Sequence, residues 1–195
     1  KEKKNFIFVV WGTGIGGGII IDEKIYRGRK GGAGEIGHIS IDYNGPLCNC
    51  GNHGCIERYI GQRYLSARVR ERLEKLPQEI LTRQTMYELV DGNLKNLELS
   101  TVSAAAYRRD ALAHEIMVEA ASLLGIALAS AVNLLDIPTV ILGGGVAAAG
   151  PYLLESVEKS LRAHVLRPHQ EECLVIPATL ENNAGMLGAA SLVLG

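Results

Sequence analysis

A helix that turns apolar on every side and then runs into a strand fixes much of what this chain can become. From Ala111 to Leu135 the sequence predicts one long helix that carries no charged residue after Glu119. A helix with no polar face is buried, either in a protein core or in a membrane. Its uncharged part, Ala120 to Leu135, is 16 residues long and contains Ser122, Ser130 and Asn133. A membrane span needs roughly 20 apolar residues, so a core helix is the expectation. Directly beyond it, Pro138-Thr-Val-Ile-Leu142 reads as a buried strand that ends in Gly143-Gly144-Gly145. Tyr152 to Val165 then reads as a helix, Leu174 to Ile176 as a strand and Asn183 to Leu194 as a final helix of small residues. Strands and helices in alternation predict an α/β fold built on a layered sheet.

The first half is less regular. Phe6-Ile-Phe-Val-Val-Trp11 is a continuous apolar run and predicts a strand covered on both faces. The glycines from Gly12 to Gly18 read as a tight turn, after which Ile19-Ile-Ile21 resumes the strand pattern. Asp22 to Lys24 turns the chain and Ile25-Tyr26 begins the return arm of a hairpin. Arg27 to Gly54 is rich in Gly, Asn and Pro and predicts loop, with one short strand at His38 to Asp42. Leu65, Val69, Leu73 and Leu76 are spaced four, four and three apart, which predicts a helix over Arg63–Leu76 that Pro77 ends. Leu81 to Leu97 is a weaker amphipathic segment broken by Gly92.

Composition excludes several classes. In 195 residues, 47% of them hydrophobic, a core forms without disulfide staples. The formal net charge is −1 and the basic residues are scattered, so no nucleic-acid partner is expected for this segment. No membrane partner is expected either. Lys1-Glu-Lys-Lys4 enters the first strand without an initiator methionine or a signal peptide, which predicts a fragment of a cytoplasmic protein.

Gly12-Thr13-Gly14-Ile-Gly-Gly17 matches the pattern G-x-G-x-x-G, but a strand rather than a helix follows, which disfavours a dinucleotide site. No Gly-Lys-Ser/Thr closes the run, so a Walker loop is excluded. What remains is a turn whose backbone N–H groups can approach an anion, with the Thr13 hydroxyl as a further donor. Gly143-Gly144-Gly145 lies between a strand and a helix, where bare backbone suits the edge of a nucleotide.

Cys48, Cys50 and Cys55 fall within eight residues, among glycines that free the backbone to curl. In a reducing compartment such a cluster is a metal site more often than a disulfide. Three thiolates and one imidazole make a tetrahedral zinc site, and the spacing leaves both His38 and His53 as the imidazole. Cys173, far away, reads as a small buried apolar residue.

Gly34-Glu35-Ile36-Gly37-His38, followed by Cys48-x-Cys50-Gly-x-x-Gly-Cys55-x-Glu57, resembles the signature of the ROK family of sugar kinases and repressors. Gly12-Thr-Gly14 is similar to that family's second phosphate loop, Gly143-Gly-Gly145 to its adenosine loop and Asn183-Ala-Gly185 to its C-terminal ending. The resemblance implies an actin-like, ribonuclease-H-like fold of two lobes, with residues 1–195 as the larger C-terminal lobe and 38–57 as a zinc loop inserted in it. It implies zinc on His38, Cys48, Cys50 and Cys55, and sugar on Glu35, His38 and Glu57. It further implies ATP with Mg2+ at Gly12, Thr13, Gly14 and Gly143 to Gly145, and a homo-oligomer, dimer or tetramer.

Two motifs of the family's kinases are not found in this stretch, the first phosphate loop Asp-x-Gly-Gly-Thr and the Asn-Asp pair that carries the general base. Asp22, Asp42, Asp91, Asp110 and Asp136 stand in other contexts. No catalytic residue is therefore expected within 1–195, and the catalytic Asp is expected in a preceding lobe. Two functions fit: part of an ATP-dependent hexose or amino-sugar kinase, favoured by the two glycine loops, or the sugar-sensing part of a transcriptional repressor.

Overall fold

The computed structural model describes residues 3–145 and 150–179. Five strands form one mixed sheet in the order β3-β2-β1-β4-β5: β1 (Phe6–Trp11), β2 (Ile15–Ile21), β3 (Lys24–Ile25), β4 (Thr139–Gly143) and β5 (Leu174–Pro177). Central β1 pairs antiparallel with β2 and parallel with β4, with Ile7 opposite Val140 and Val10 opposite Gly143. β4 and β5 are also parallel. A central strand covered by other elements requires the apolar run that Phe6–Trp11 supplies, and Ile7, Val9 and Trp11 are fully buried.

Among the described residues there are seven α-helices, in chain order α1 (Glu57–Ile60), α2 (Gln62–Glu74), α3 (Gln78–Leu81), α4 (Thr85–Glu88), α5 (Leu99–Tyr107), α6 (Ala111–Leu135) and α7 (Pro151–His164). α2 buries Leu65, Val69 and Leu73 on one face, as their spacing predicts. α6 has the predicted bounds. Asp110 caps it, Oδ1 accepting the Ala113 N–H at 2.9 Å while Oδ2 takes the Thr85 N–H at 3.0 Å at the head of α4. By length and composition α6 is apolar enough to cross a membrane, which the 16-residue count missed. Half of its most apolar stretch is buried within the fold, and α7 and α5 pack along it, so it is the core helix. Cys173 is buried as predicted.

Two expectations need correction. β2 begins at Ile15, so Gly16, Gly17 and Gly18 lie in the strand opposite Val10, Val9 and Phe8, and the turn shrinks to residues 12–14. The strand expected at His38–Asp42 is a 3-10 turn, Ile36–His38, followed by one isolated bridge between Ser40 and Cys55. Leu81–Leu97 is, as expected, an interrupted segment of short helical turns, with Gly92 at a φ of 75° between α4 and the 3-10 turn Leu94–Asn96. α3 and α5 were not foreseen. The expected helix Asn183–Leu194 lies outside the described residues.

Gly17 explains why a strand tolerates glycine here. The 34–38 loop lies on it so closely that a methyl group at Gly17 would come within 2.5 Å of the Gly34 carbonyl oxygen and of Ile36 Cγ1. The sheet thus carries the loop that bears Glu35 and His38.

Candidate functional site

The cysteine loop is held shut by its own backbone. Ile41 N–H donates to Gly54 O at 2.9 Å, Cys48 N–H to Asn52 O at 2.7 Å and Gly51 N–H to Cys48 O at 2.9 Å. Ser40 and Tyr59 brace it from outside, Ser40 Oγ donating to His53 O and Tyr59 O–H to Asp42 Oδ2. These constraints gather one ligand atom each from His38, Cys48, Cys50 and Cys55 within 4.8 Å of one another. Cys50 and Cys55 Sγ lie 3.6 Å apart, as do Cys48 Sγ and His38 Nδ1. A tetrahedral ion with bonds of about 2.3 Å to sulfur and 2.0 Å to nitrogen has edges of roughly 3.8 and 3.5 Å, so these donors fit such an ion. His53 turns away and places Nδ1 3.0 Å from Gly45 O.

The thiols differ in proton affinity. Burial pushes Cys55 up to about 12, and the neighbouring Cys50 and Cys48 add to the rise. The backbone of Asn52 beside Cys50 holds that thiol below its ordinary value, with smaller help from hydrogen bonds to Cys55 and Cys48. Three thiols this close resist shared ionisation without a cation between them.

The two glycine turns meet. β1 and β4 are parallel neighbours, so the turn after Trp11 and the turn after Gly143 leave the same edge of the sheet side by side. Gly144, at a φ of 94°, lies against the Trp11 backbone, where a Cβ would collide. Ligands of open α/β sheets bind at such carboxyl ends of parallel strands. The first turn is closed by Gly12 N–H on Gly14 O at 3.0 Å, while Gly145 stands in open space.

α1 bolts the first turn to the cysteine loop. The buried Trp11 indole N–H donates to Ile60 O at 3.0 Å and Gln62 N–H to Gly12 O at 3.3 Å. Glu57, at the head of α1, accepts the Ile15 N–H on Oε2 at 3.0 Å, and its carboxylate lies where a side chain on Gly14 would go. Gly37 packs against the Ile15 carbonyl on the other side. Glu35 starts the 3-10 turn with an exposed carboxylate that makes no cap hydrogen bond. The loops of Glu35, His38 and Glu57 therefore converge on Ile15. One Glu57 oxygen is already engaged, which leaves Oε1 as its freer acceptor.

Sequence reasoning missed α5. Ser100, Ser103, Ala104, Tyr107 and Arg108 line a cavity of about 370 Å³ together with Gly145, beside the second glycine turn. The usable signal was a helix start at Glu98, whose N–H reaches Thr101 Oγ1 at 3.5 Å.

Known proteins share this architecture. The chain is 36% identical to a glucokinase of Streptomyces coelicolor, over 98% of its own length and 60% of that protein's. It is 32% identical to the xylose repressor of Bacillus subtilis, over its full length and 45% of the repressor's. A crystal structure of a ROK family glucokinase from Streptomyces griseus in complex with glucose and AMPPNP superposes with a TM-score of 0.87 at 36% identity, covering 100% of this chain and 62% of that one. The mixed α/β sheet is consistent with the actin-like ATPase fold. The profile of the ROK family matches residues 1–195 throughout, and the chain belongs to that family.

Proposed function

We propose that residues 1–195 are the larger, C-terminal lobe of an ATP-dependent kinase of hexoses or amino sugars. The observation that carries this reading is the meeting of two glycine turns at the ends of β1 and β4, one beside the α5 cavity and the other beside the Glu57 carboxylate. That arrangement provides a nucleotide berth and a hydroxyl acceptor a few residues apart.

Gly12 closes the turn through its own N–H, and the backbone N–H groups of Thr13 and Gly14 with the Thr13 hydroxyl take the phosphates, while Gly143 to Gly145 with the α5 cavity take the adenosine. Mg2+ arrives with ATP and spreads the phosphate charge. Glu35, Glu57 and His38 take sugar hydroxyls, the carboxylates through charge-assisted hydrogen bonds that fix ring orientation. His38, Cys48, Cys50 and Cys55 would hold a structural zinc, which supplies a rigid cross-link and no reaction chemistry. Bound on the Nδ1 side, His38 keeps its second ring nitrogen for the sugar.

The chain spans about 60% of the length of the glucokinases it resembles and under half of the repressors, so the catalytic Asp and the first phosphate loop are assigned to a preceding lobe. A cytoplasmic homo-oligomer, dimer or tetramer, completes the reading. Likeness to xylose repressors supports a second one, a sugar-sensing domain behind a DNA reader. A coupled ADP-release assay with glucose, N-acetylglucosamine, N-acetylmannosamine, fructose and xylose separates them. Residues 1–195 alone should give no turnover, because a missing general base alone costs about 10²–10⁴ in rate. The full-length protein should turn over with Mg-ATP. Sugar binding without ADP release by the full-length protein would select the sensor.

A further inference from the structure

We infer that Glu57 couples the two ligands, acting as an electrostatic gate that keeps nucleotide phosphate weakly bound until sugar is in place. The inference rests on the kinase reading above and deepens it. Glu57 Oε2 is 3.0 Å from the Ile15 nitrogen, the residue directly after the Gly12–Gly14 turn, and its carboxylate touches Gly14 where a Cβ would stand. A full negative charge therefore sits against the turn that must receive polyanionic phosphate. No cationic side chain is hydrogen-bonded to that carboxylate among the described residues. Like charges at this range repel, and the repulsion is strong where the site is shielded from water. Sugar hydroxyls donating to the same carboxylate disperse its charge and hold it in place. Sugar thus raises phosphate affinity, and by linkage nucleotide raises sugar affinity by the same factor. α1 is held to both sides of the turn, by the Trp11 indole on Ile60 O where the chain enters it and by Glu57 on the Ile15 N–H where the chain leaves. Gln62 at the start of α2 adds its N–H to Gly12 O.

The test uses full-length protein and the non-hydrolysable ATP analogue AMPPNP with Mg2+, titrated by calorimetry with and without the sugar that supports turnover. Wild type should bind the analogue at least about fivefold more tightly with sugar present, the low end for coupled sites. Glu57→Gln should bind sugar more weakly yet bind the analogue more tightly in the absence of sugar, by a similar factor, and lose most of the coupling. A merely structural role for Glu57 would not improve nucleotide affinity. Gly14→Ala, whose methyl displaces the flexible carboxylate from Ile15, should also erase coupling. Gly16→Ala adds the same carbon on β2, outside the turn and with nothing within 4 Å of it, and should retain coupling. Unchanged or weaker analogue binding by Glu57→Gln, or coupling that survives both Glu57→Gln and Gly14→Ala, overturns the inference and leaves the kinase reading standing. Failure of the wild type to bind any sugar or the analogue overturns both.

Discussion

One methyl group on β2 should disable the sugar loop from below. In Gly17→Ala the new carbon would stand 2.5 Å from Gly34 O and 2.5 Å from Ile36 Cγ1, against 3.4 Å or more in ordinary contact, so the 34–38 loop must retreat by about 0.9 Å. β2 itself cannot yield, because Gly17 is in register with Val9 in the centre of the sheet. Nor is the loop free, since Ile36 is buried and Gly37 rests on the Ile15 backbone. Overpacking of this kind costs about 1–3 kcal/mol of stability. On the proposed sugar role of Glu35 and His38, a shift approaching 1 Å should take them out of hydrogen-bond range of the sugar. Losing one charge-assisted hydrogen bond is worth about 1.5–3 kcal/mol, or roughly 10- to 150-fold in affinity. Gly16→Ala is the matched control, with open space around the added carbon. Denaturant melts and sugar titration of the two full-length variants make the comparison. If Gly17→Ala matches Gly16→Ala in both stability and sugar affinity, the loop is not seated on the strand as described.

Metal analysis should find one zinc per chain, lost in His38→Ala and kept in His53→Ala; the reverse result would move the fourth ligand to His53. Cys55→Ser should loosen the whole 38–57 loop, read as faster proteolysis or hydrogen exchange there, because metal binding and local folding are one event. Glu35→Gln and Glu57→Gln should each weaken sugar binding by about 1.5–3 kcal/mol with zinc content unchanged, and wild-type affinity in both would remove the sugar role. Zinc affinity should fall with falling pH. In the metal-free protein Cys55 keeps its proton up to about pH 12, so metal entry must expel at least one proton. Apparent affinity then drops at least about tenfold per pH unit across pH 8 to 6, and a pH-independent affinity would exclude thiolate ligation by Cys55.

What could be read in the sequence follows from which forces act locally. β1, α2, α6 and α7 announce themselves because their buried faces are written in apolar residues at strand or helix spacing, and the fold uses those faces directly. Gly16 to Gly18 carry no such signal. Their strand is imposed by the β1 ladder and by a loop far ahead in sequence that needs the space, which is tertiary information. α5 hides for a related reason, since Ser, Thr and Ala give a faint helical period and its burial depends on α6. The three clustered thiols were legible in residue types and spacing, which left His38 and His53 both open; the fold brings His38 rather than His53 to the thiols. The path from Glu57 through Ile15 to the phosphate turn was not legible, because a backbone N–H is the donor and every residue has one.

The carboxylate resting on Gly14 has a bearing on descent as well as on binding. A lineage that gave up ATP while still recognising a sugar would lose every reason of catalysis to keep the first turn. If Glu57 reads sugar as proposed, such a lineage would nonetheless remain confined to glycine at position 14, since any side chain there would push the Glu57 carboxylate out of place. Gly14 alone is thus weaker testimony of a working kinase than the two glycine turns taken together with the α5 cavity. Among the described residues the cavity of α5 and Gly145 is lined by none of Glu35, His38 and Glu57, so decay in a line that abandoned phosphoryl transfer should begin there.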